Sequence, residues 1–370
     1  MPFYYQIDSS TVAGRRTADR LVALRDHLAQ EVPPRSLNDS LLLATWNIRE
    51  FDSAAYGDRL EEALYYIAEI VSHFDLVAIQ EVREDLKALD RVQRILGRWW
   101  KYVVTDVTEG TPGNRERMAF LYDGRKVRFG GLAGEVVVPP IEEKKKGQKT
   151  VYRPAEQLVR TPYLAGFQAG WFRFMLCTVH ILFGESEAED PKREAEIRKL
   201  AQFLAKRAKN PSSWSANIIL LGDFNIFSHS DTTFRALTDA GFSIPQELQS
   251  LPATNTGKKA RHYDQIAFLL DKATNMRLCK AGVFNFFETV FRDEKTAGTD
   301  DLPAYAADLR AVYDSKKRKK RFDEISEAKK QTYYRTYWRT HQMSDHLPMW
   351  VELKIDFGRE YLVGRSKKPK

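Results

Sequence analysis

The sequence predicts an α/β protein in which two mixed β-sheets pack together under a cover of helices. Short apolar runs at residues 41–45, 75–79 and 217–221 read as buried strands. Amphipathic helical stretches lie between several of them, yet strands and helices do not alternate strictly. That argues against a doubly wound parallel sheet. The chain has 370 residues, 43% of them hydrophobic, which suffices for one large core or two modest domains.

Residues 15–31 carry Leu21, Leu24 and Leu28 at helical spacing before Pro33-Pro34. They predict an N-terminal helix packed on the core, within an extension covering residues 1–39. A strand at 41–48 is followed by a helix at 57–73, where Leu60, Leu64, Ile67 and Val71 recur on one face. Next come a strand at 75–80, a helix at 84–97 and strands near 101–105, 117–122 and 126–138. Residues 139–160 are polar and read as a loop. Strands at 163–168 and 171–179 form a hairpin turning at Gln168-Ala169-Gly170. A helix at 188–209, a strand at 217–221, a helix at 231–240 and a strand at 263–270 follow. Residues 301–338 are mainly helical in composition, and the last strand is 347–355. The catalytic unit is expected at 40–356, followed by a basic tail at 357–370. No fixed-period repeat is seen.

Composition narrows the function classes. No apolar stretch is long enough to span a membrane, and the N-terminus lacks a signal-peptide apolar region, so a cytoplasmic protein is the expectation. Cys177 and Cys279 give neither a disulfide framework nor a cysteine zinc site, and Cys177 reads as a small core residue. The net charge of +8 is localised. Residues 301–341 hold eleven Lys/Arg against six Asp/Glu, and residues 142–160 hold six against three. Such a surface suits a polyanion: nucleic acid or an anionic membrane. A solvated charged face is the plainer reading of any one lysine run.

Five short motifs sit where these runs begin or end: Trp46-Asn47-Ile48, Gln80-Glu81-Val82-Arg83, Gly222-Asp223-Phe224-Asn225, His262-Tyr263-Asp264 and Ser344-Asp345-His346. Strand ends can hold hard oxygen ligands and general bases rigidly around one point. Mg²⁺ binds through oxygen ligands, with one or two carboxylates and several waters. Glu81 directly follows an apolar strand and is the strongest ligand candidate. Asp223 and Asn225, two apart, share a side if the backbone stays extended. Asn47 offers a neutral amide. His180 and His346, two of only seven histidines, stand at strand ends with acids available to orient them. His27 and His73 read as surface residues. Taken singly, each acid could be only a helix or turn cap.

In this order the motifs resemble the endonuclease/exonuclease/phosphatase superfamily, whose type member is deoxyribonuclease I. The resemblance covers residues 40–270 and 342–356. It includes Glu116-Arg117 before the strand Ala119-Phe120-Leu121, Arg160 followed by Pro162, and His180. It implies a four-layered α/β sandwich, with the active site where two mixed sheets meet. It implies Glu81 as principal metal ligand, assisted by Asn47 and Asp345, with Mg²⁺ as cofactor and Mn²⁺ or Ca²⁺ as substitutes. Asp223 and Asn225 would position water and phosphate, His346 would be oriented by Asp264, and His180 by Glu116. DNA is the expected partner, hydrolysed endonucleolytically.

Arg83, Arg160 and the basic run Lys316, Lys317, Arg318, Lys319, Lys320 and Arg321 are the expected substrate contacts. Two departures stand out. Asn114 occupies the place of a tyrosine two residues before the matching glutamate. Some 80 residues separate Asp264 from Asp345, about twice what the family core needs. The excess is a basic, aromatic, mainly helical insertion at about 295–341. Rival functions are a phosphatase or phosphodiesterase of the same superfamily for small or lipid substrates, and a non-catalytic nucleic-acid-binding protein on this fold.

Overall fold

The computed structural model describes residues 2–51, 53, 56–109, 114–143, 150–272 and 274–366. The strands, in chain order, are β1 Ser40–Phe51, β2 Leu76–Val82, β3 Trp100–Val104, β4 Arg117–Asp123, β5 Val127–Glu135, β6 Ile141–Glu143, β7 Val151–Arg153, β8 Tyr163–Ala169, β9 Phe172–His180, β10 Ile218–Asp223, β11 Asp264–Leu269, β12 Arg277–Val283 and β13 Met349–Lys354. One sheet has the order β12-β13-β1-β2-β4-β3, the other β11-β10-β9-β8-β5, and β6-β7 form a small hairpin. β1 pairs with β2, and β9 with β10, in parallel, while their outer neighbours run antiparallel.

Alternation along β1 explains the layering. Leu41 and Leu43 enter the core shared with the second sheet, alongside Phe120, Phe174, Leu176 and Leu220. Leu42, Ala44 and Trp46 face the other way, into a helical layer. That layer contains α1 Val12–Glu31, α2 Glu61–Ser72 and α3 Lys87–Leu96. Behind the second sheet lie α4 Pro191–Ala208 and α5 Thr232–Thr238, through Ile197, Leu200, Leu204 and Phe234. Helix, sheet, sheet and helix make four layers. Both faces of the central strands are covered, which is why they read as continuous apolar runs. Leu21, Leu24 and Leu28 of α1 are buried, as their spacing predicts.

The structure corrects several sequence expectations. The hairpin between β8 and β9 turns at Gly170-Trp171, one step later than expected, with Gly170 at φ 54°. The 139–160 loop contains the β6-β7 hairpin, and Lys144, Lys145 and Lys146 lie outside the described residues. β12 was not anticipated. It is an edge strand with exposed Arg277, Cys279 and Lys280, so it shows no apolar run. His27 packs on Phe284 with ring centroids 4.8 Å apart, and His73 bonds the Glu69 carbonyl, so neither is a free surface residue. Cys177 is fully buried in the inter-sheet core. No helix among the described residues is long and apolar enough to cross a membrane.

The insertion is built of short helices at Glu294–Ala297, Ala306–Ser315, Glu327–Tyr333 and Arg339–Gln342, with a π-helical turn at Tyr334–Trp338. Tyr305, Tyr333, Tyr334 and Trp338 are buried in the core cluster that holds α1 and α2, so they are packing residues rather than exposed stacking platforms. Residues 316–321 are not helical. They form an exposed loop, with Arg318 over the Tyr313 ring at 4.2 Å and Arg321 paired with Asp314 at 3.7 Å.

Candidate active site

Strand direction gathers the motifs. β1, β2, β9 and β10 end at the same edge of the sandwich where the antiparallel β4, β11 and β13 begin. Asn47, Glu81, His180 and Asp223 therefore meet Glu116, Asp264 and His346 there. The register is explicit in the second sheet, where Asp223 is the direct partner of both His180 and Asp264. Gln80 ties the sheets together beneath the site, donating to Thr178 of β9 at 2.7 Å and to Thr45 of β1 at 3.1 Å.

Asp223 lies at the centre. Nε2 of His180 is 3.6 Å, and Nε2 of His346 3.7 Å, from the same oxygen, Oδ2. Each imidazole is held from behind. Nδ1 of His180 bonds Glu116 at 2.8 Å, and Nδ1 of His346 bonds Asp264 at 2.8 Å. Asn114, in the place of the missing tyrosine, donates to Glu116 at 2.6 Å, and Arg160 pairs with Glu116 at 2.8 Å. Burial disfavours the charged form of Glu116, but His180, Arg160 and Asn114 outweigh it and hold the carboxyl at about 2. Burial also opposes the charge on both imidazoles. The carboxylates around them prevail, raising His180 and lifting His346 well above its ordinary value. Asp223 is raised by burial despite its two histidines.

The backbone is bent to aim these groups. Glu81 sits at φ 61°, where the β2–β4 register breaks between Ile79 and Val82, and Asn225 sits at φ 53°. Left-handed backbone at non-glycine residues is uncommon and concentrates at functional sites. Gly222, at φ 130°, lies so close to β9 that a Cβ would stand 2.2 Å from the Val179 carbonyl oxygen. Only glycine fits there, and it delivers Asp223. Asp223 accepts the Asn225 amide at 2.9 Å, while the Asn225 side chain donates to the Ile181 carbonyl at 2.8 Å. Ser344 fastens the β13 loop to β1, donating to the Asn47 carbonyl at 2.6 Å and accepting from the Arg49 amide at 3.1 Å.

One cluster of donors could hold a cation. Glu81, Glu116 and His180 each offer a ligand atom within 4.8 Å of the others. Asn47 donates to Glu81 at 2.9 Å and to Asp223 at 3.0 Å, and its own Oδ1 is buried without a partner. Asp345 is raised by burial, and the Glu81 charge raises it further, so these two carboxylates sense one another. Asn47 and Glu81 offer the oxygen type that a hard divalent ion takes, while the His180 imidazole is already engaged with Glu116.

The expected substrate contacts divide. Arg160 is in the site through Glu116. Arg83 borders it, donating to the Asn114 carbonyl and lying 3.6 Å from Glu50. Beside Asp345 and His346 opens a cleft of about 560 Å³. The insertion lines it with Lys295, Thr296, Thr332, Arg335, Thr336 and Thr340, and Lys258 lines it from outside the insertion. None of Lys316, Lys317, Arg318, Lys319, Lys320 and Arg321 lines this cleft. Sequence reading missed Lys258 and Lys295. The spacing of Thr332, Arg335, Thr336 and Thr340 on one helical face was the available signal for the rest.

Residues 44–346 match the Endonuclease/Exonuclease/phosphatase family. The chain belongs to that family, whose members are phosphoester hydrolases. Solved structures agree on the fold. A family protein from Bacteroides thetaiotaomicron aligns with TM-score 0.52 and 17% identity, over 86% of this chain and 98% of that one. The mannosyl-6-phosphatase Bt3783 of the same organism aligns with TM-score 0.51 and 15% identity, over 85% and 99%. The human Nocturnin catalytic domain gives 0.50 and 13%, over 86% and 96%. No curated protein matches. At these identities the likeness speaks for the fold alone.

Proposed function

We propose that this protein is a Mg²⁺-dependent phosphodiesterase, and that its substrate is DNA, cleaved by a deoxyribonuclease-like endonucleolytic reaction. The observation that supports this best is the pair of carboxylate-backed imidazoles aimed at one oxygen of Asp223. In-line displacement at phosphorus needs a proton taken on one side and given on the other. His180 and His346 would hold those two protons. Asp223 and Asn225 would orient the attacking water and the phosphate. Glu81, Asn47 and Asp345 would hold the metal, with Mn²⁺ or Ca²⁺ as substitutes. When bound, the ion neutralises charge on the non-bridging oxygens. The net charge of +8 favours a polyanionic substrate. A D. rerio TDP2 structure of the same fold, with TM-score 0.50 and 12% identity, is described with a single strand DNA product.

A second reading is hydrolysis of a small phosphorylated substrate. The bounded cleft of about 560 Å³ favours it, being the size of a small-molecule site. A substrate panel separates the two: supercoiled plasmid, linear duplex, RNA, a chromogenic diester and hexose phosphates, each with Mg²⁺ and with EDTA. Nicking of plasmid in Mg²⁺ alone is the expected result. Turnover confined to the hexose phosphates would replace the first reading with the second.

A further inference from the structure

We infer that the cleft between the insertion and His346 is a second anion subsite, which binds a phosphate of the substrate other than the one being cleaved. This rests on the reading of the neighbouring centre as a phosphoesterase. Asp345 and His346 form one wall, so a group in the cleft lies directly beside the reacting phosphate. The lining also carries Lys258, Lys295 and Arg335. Asp345 is the only carboxylate among the described lining residues, so three cations face one acid. Among the described residues neither Lys258 nor Lys295 forms an ion pair. Among the described residues, Arg335 gives its Nε to the buried Asp293 and its Nη atoms make no further hydrogen bond. Fixing one edge of a guanidinium while the other stays open prepares it for an oxyanion.

The helix that presents Arg335 is shaped for this. Thr332, Arg335 and Thr336 face the cleft, while Tyr333, Tyr334 and Trp338 on the other side are buried in the core. The π-turn at Tyr334–Trp338 falls between these two duties, and such turns recur at functional sites. Thr340 is locked by Arg49, which donates to its Oγ1 at 2.6 Å and ties the insertion to β1 beside Asn47. A buried aromatic anchor, an arginine bolt and an open cationic face describe a wall built around a ligand. The polar face and the catalytic edge are continuous, so the ligand's two phosphates belong to one molecule. Either the next phosphate of a nucleic-acid strand or the second phosphate of a small bisphosphate meets that description.

The test uses the full chain and the variant Lys258→Gln/Lys295→Gln, with Lys258→Arg/Lys295→Arg as the fold and charge control. Pyrophosphate binding is titrated calorimetrically in EDTA, where no turnover occurs. We expect the glutamine variant to bind roughly tenfold or more weakly and the arginine variant to recover. In Mg²⁺, kcat/KM is compared for a thymidine dinucleotide with and without a terminal phosphate, and for a hexose monophosphate against a hexose bisphosphate. The preference for the second phosphate should fall in the glutamine variant. Loss in the dinucleotide series assigns the subsite to a strand, and loss in the hexose series assigns it to a small bisphosphate. Equal pyrophosphate affinity together with unchanged preferences overturns the subsite. A wild type that hydrolyses no phosphate ester but shows the binding difference keeps the subsite and sinks the reaction.

Discussion

Two groups of charged residues stand out in this chain, and the fold treats them differently. Glu81, Glu116, His180, Asp223, Asp264 and His346 come from distant segments and converge, with hydrogen bonds of 2.8 Å behind each imidazole. The six consecutive cations at 316–321 are adjacent in sequence, yet they form an exposed loop outside the cleft. The difference lies in what fixes the backbone. A residue at the end of a paired central strand is placed by ladder register and by burial on both faces. A basic run in a loop is placed by neither, and among the described residues of this run only Arg318 on the Tyr313 ring and Arg321 against Asp314 are held by local contacts. The two groups of charge therefore differ in how firmly the fold positions them.

The largest effect is expected from removing a charge from the convergent group. Asp223→Ala and Glu81→Ala should each lower turnover by at least about a hundredfold, the scale of one lost electrostatic or acid–base contributor. Near-wild-type rates in folded protein would dissolve the convergent site. Gly222→Ala probes the scaffold beneath it. A Cβ would sit 2.2 Å from a carbonyl oxygen at φ 130°, so on the order of 1–3 kcal/mol of stability should be lost. Activity should fall with it, because Asp223 is the next residue; a melting temperature equal to wild type would refute the strain.

A smaller effect concerns His341 in the insertion, a histidine treated in the opposite way to His180 and His346. It is fully buried, with Nε2–H donating to the Ser53 carbonyl at 2.9 Å. Burial and then the Arg59 charge push it down to about 3. The folded state keeps it neutral, while the unfolded chain takes up a proton below its ordinary value of about 6.5. Its contribution is thus complete above that value and is lost as pH falls toward 3. His341→Gln should flatten the drop in melting temperature between pH 7 and pH 5; an identical drop in both proteins would deny the linkage. The smallest effect is expected from neutralising Lys316, Lys317, Lys319 and Lys320 together. Less than about a twofold change in kcat/KM on duplex DNA should follow, since exposed charges contribute little individually. A steep loss of affinity with a shallower salt dependence would return that loop to the substrate path.

The strand ends were legible because several motifs abut apolar runs that read as buried strands, while the pairing of His180 with Glu116 and of His346 with Asp264 came from the resemblance those motifs carry. The register that sets Asp223 between His180 and Asp264 follows once those strands pair. The four layers were legible for the same reason. β12 was hidden because one face of an edge strand meets water, leaving Arg277, Cys279 and Lys280 where an apolar signal would be. Lys258 and Lys295 were hidden because their meaning depends on a cleft that forms only when the insertion folds back against the β13 loop. The contact of Asn114 with Glu116 shows only in three dimensions, where Asn114 donates to it.

The most direct test of the centre is the pH–rate profile of a chromogenic diester in Mg²⁺, measured for wild type, His180→Asn, His346→Asn and the double variant. With one proton taken and one given across Asp223, wild type should be bell-shaped and each single variant should lose a limb. The limbs belong to coupled groups rather than to single residues. The double variant should be hardly slower than the worse single one, as for residues that act as a unit. A bell-shaped profile kept in both single variants, at wild-type rates, would contradict a two-histidine centre.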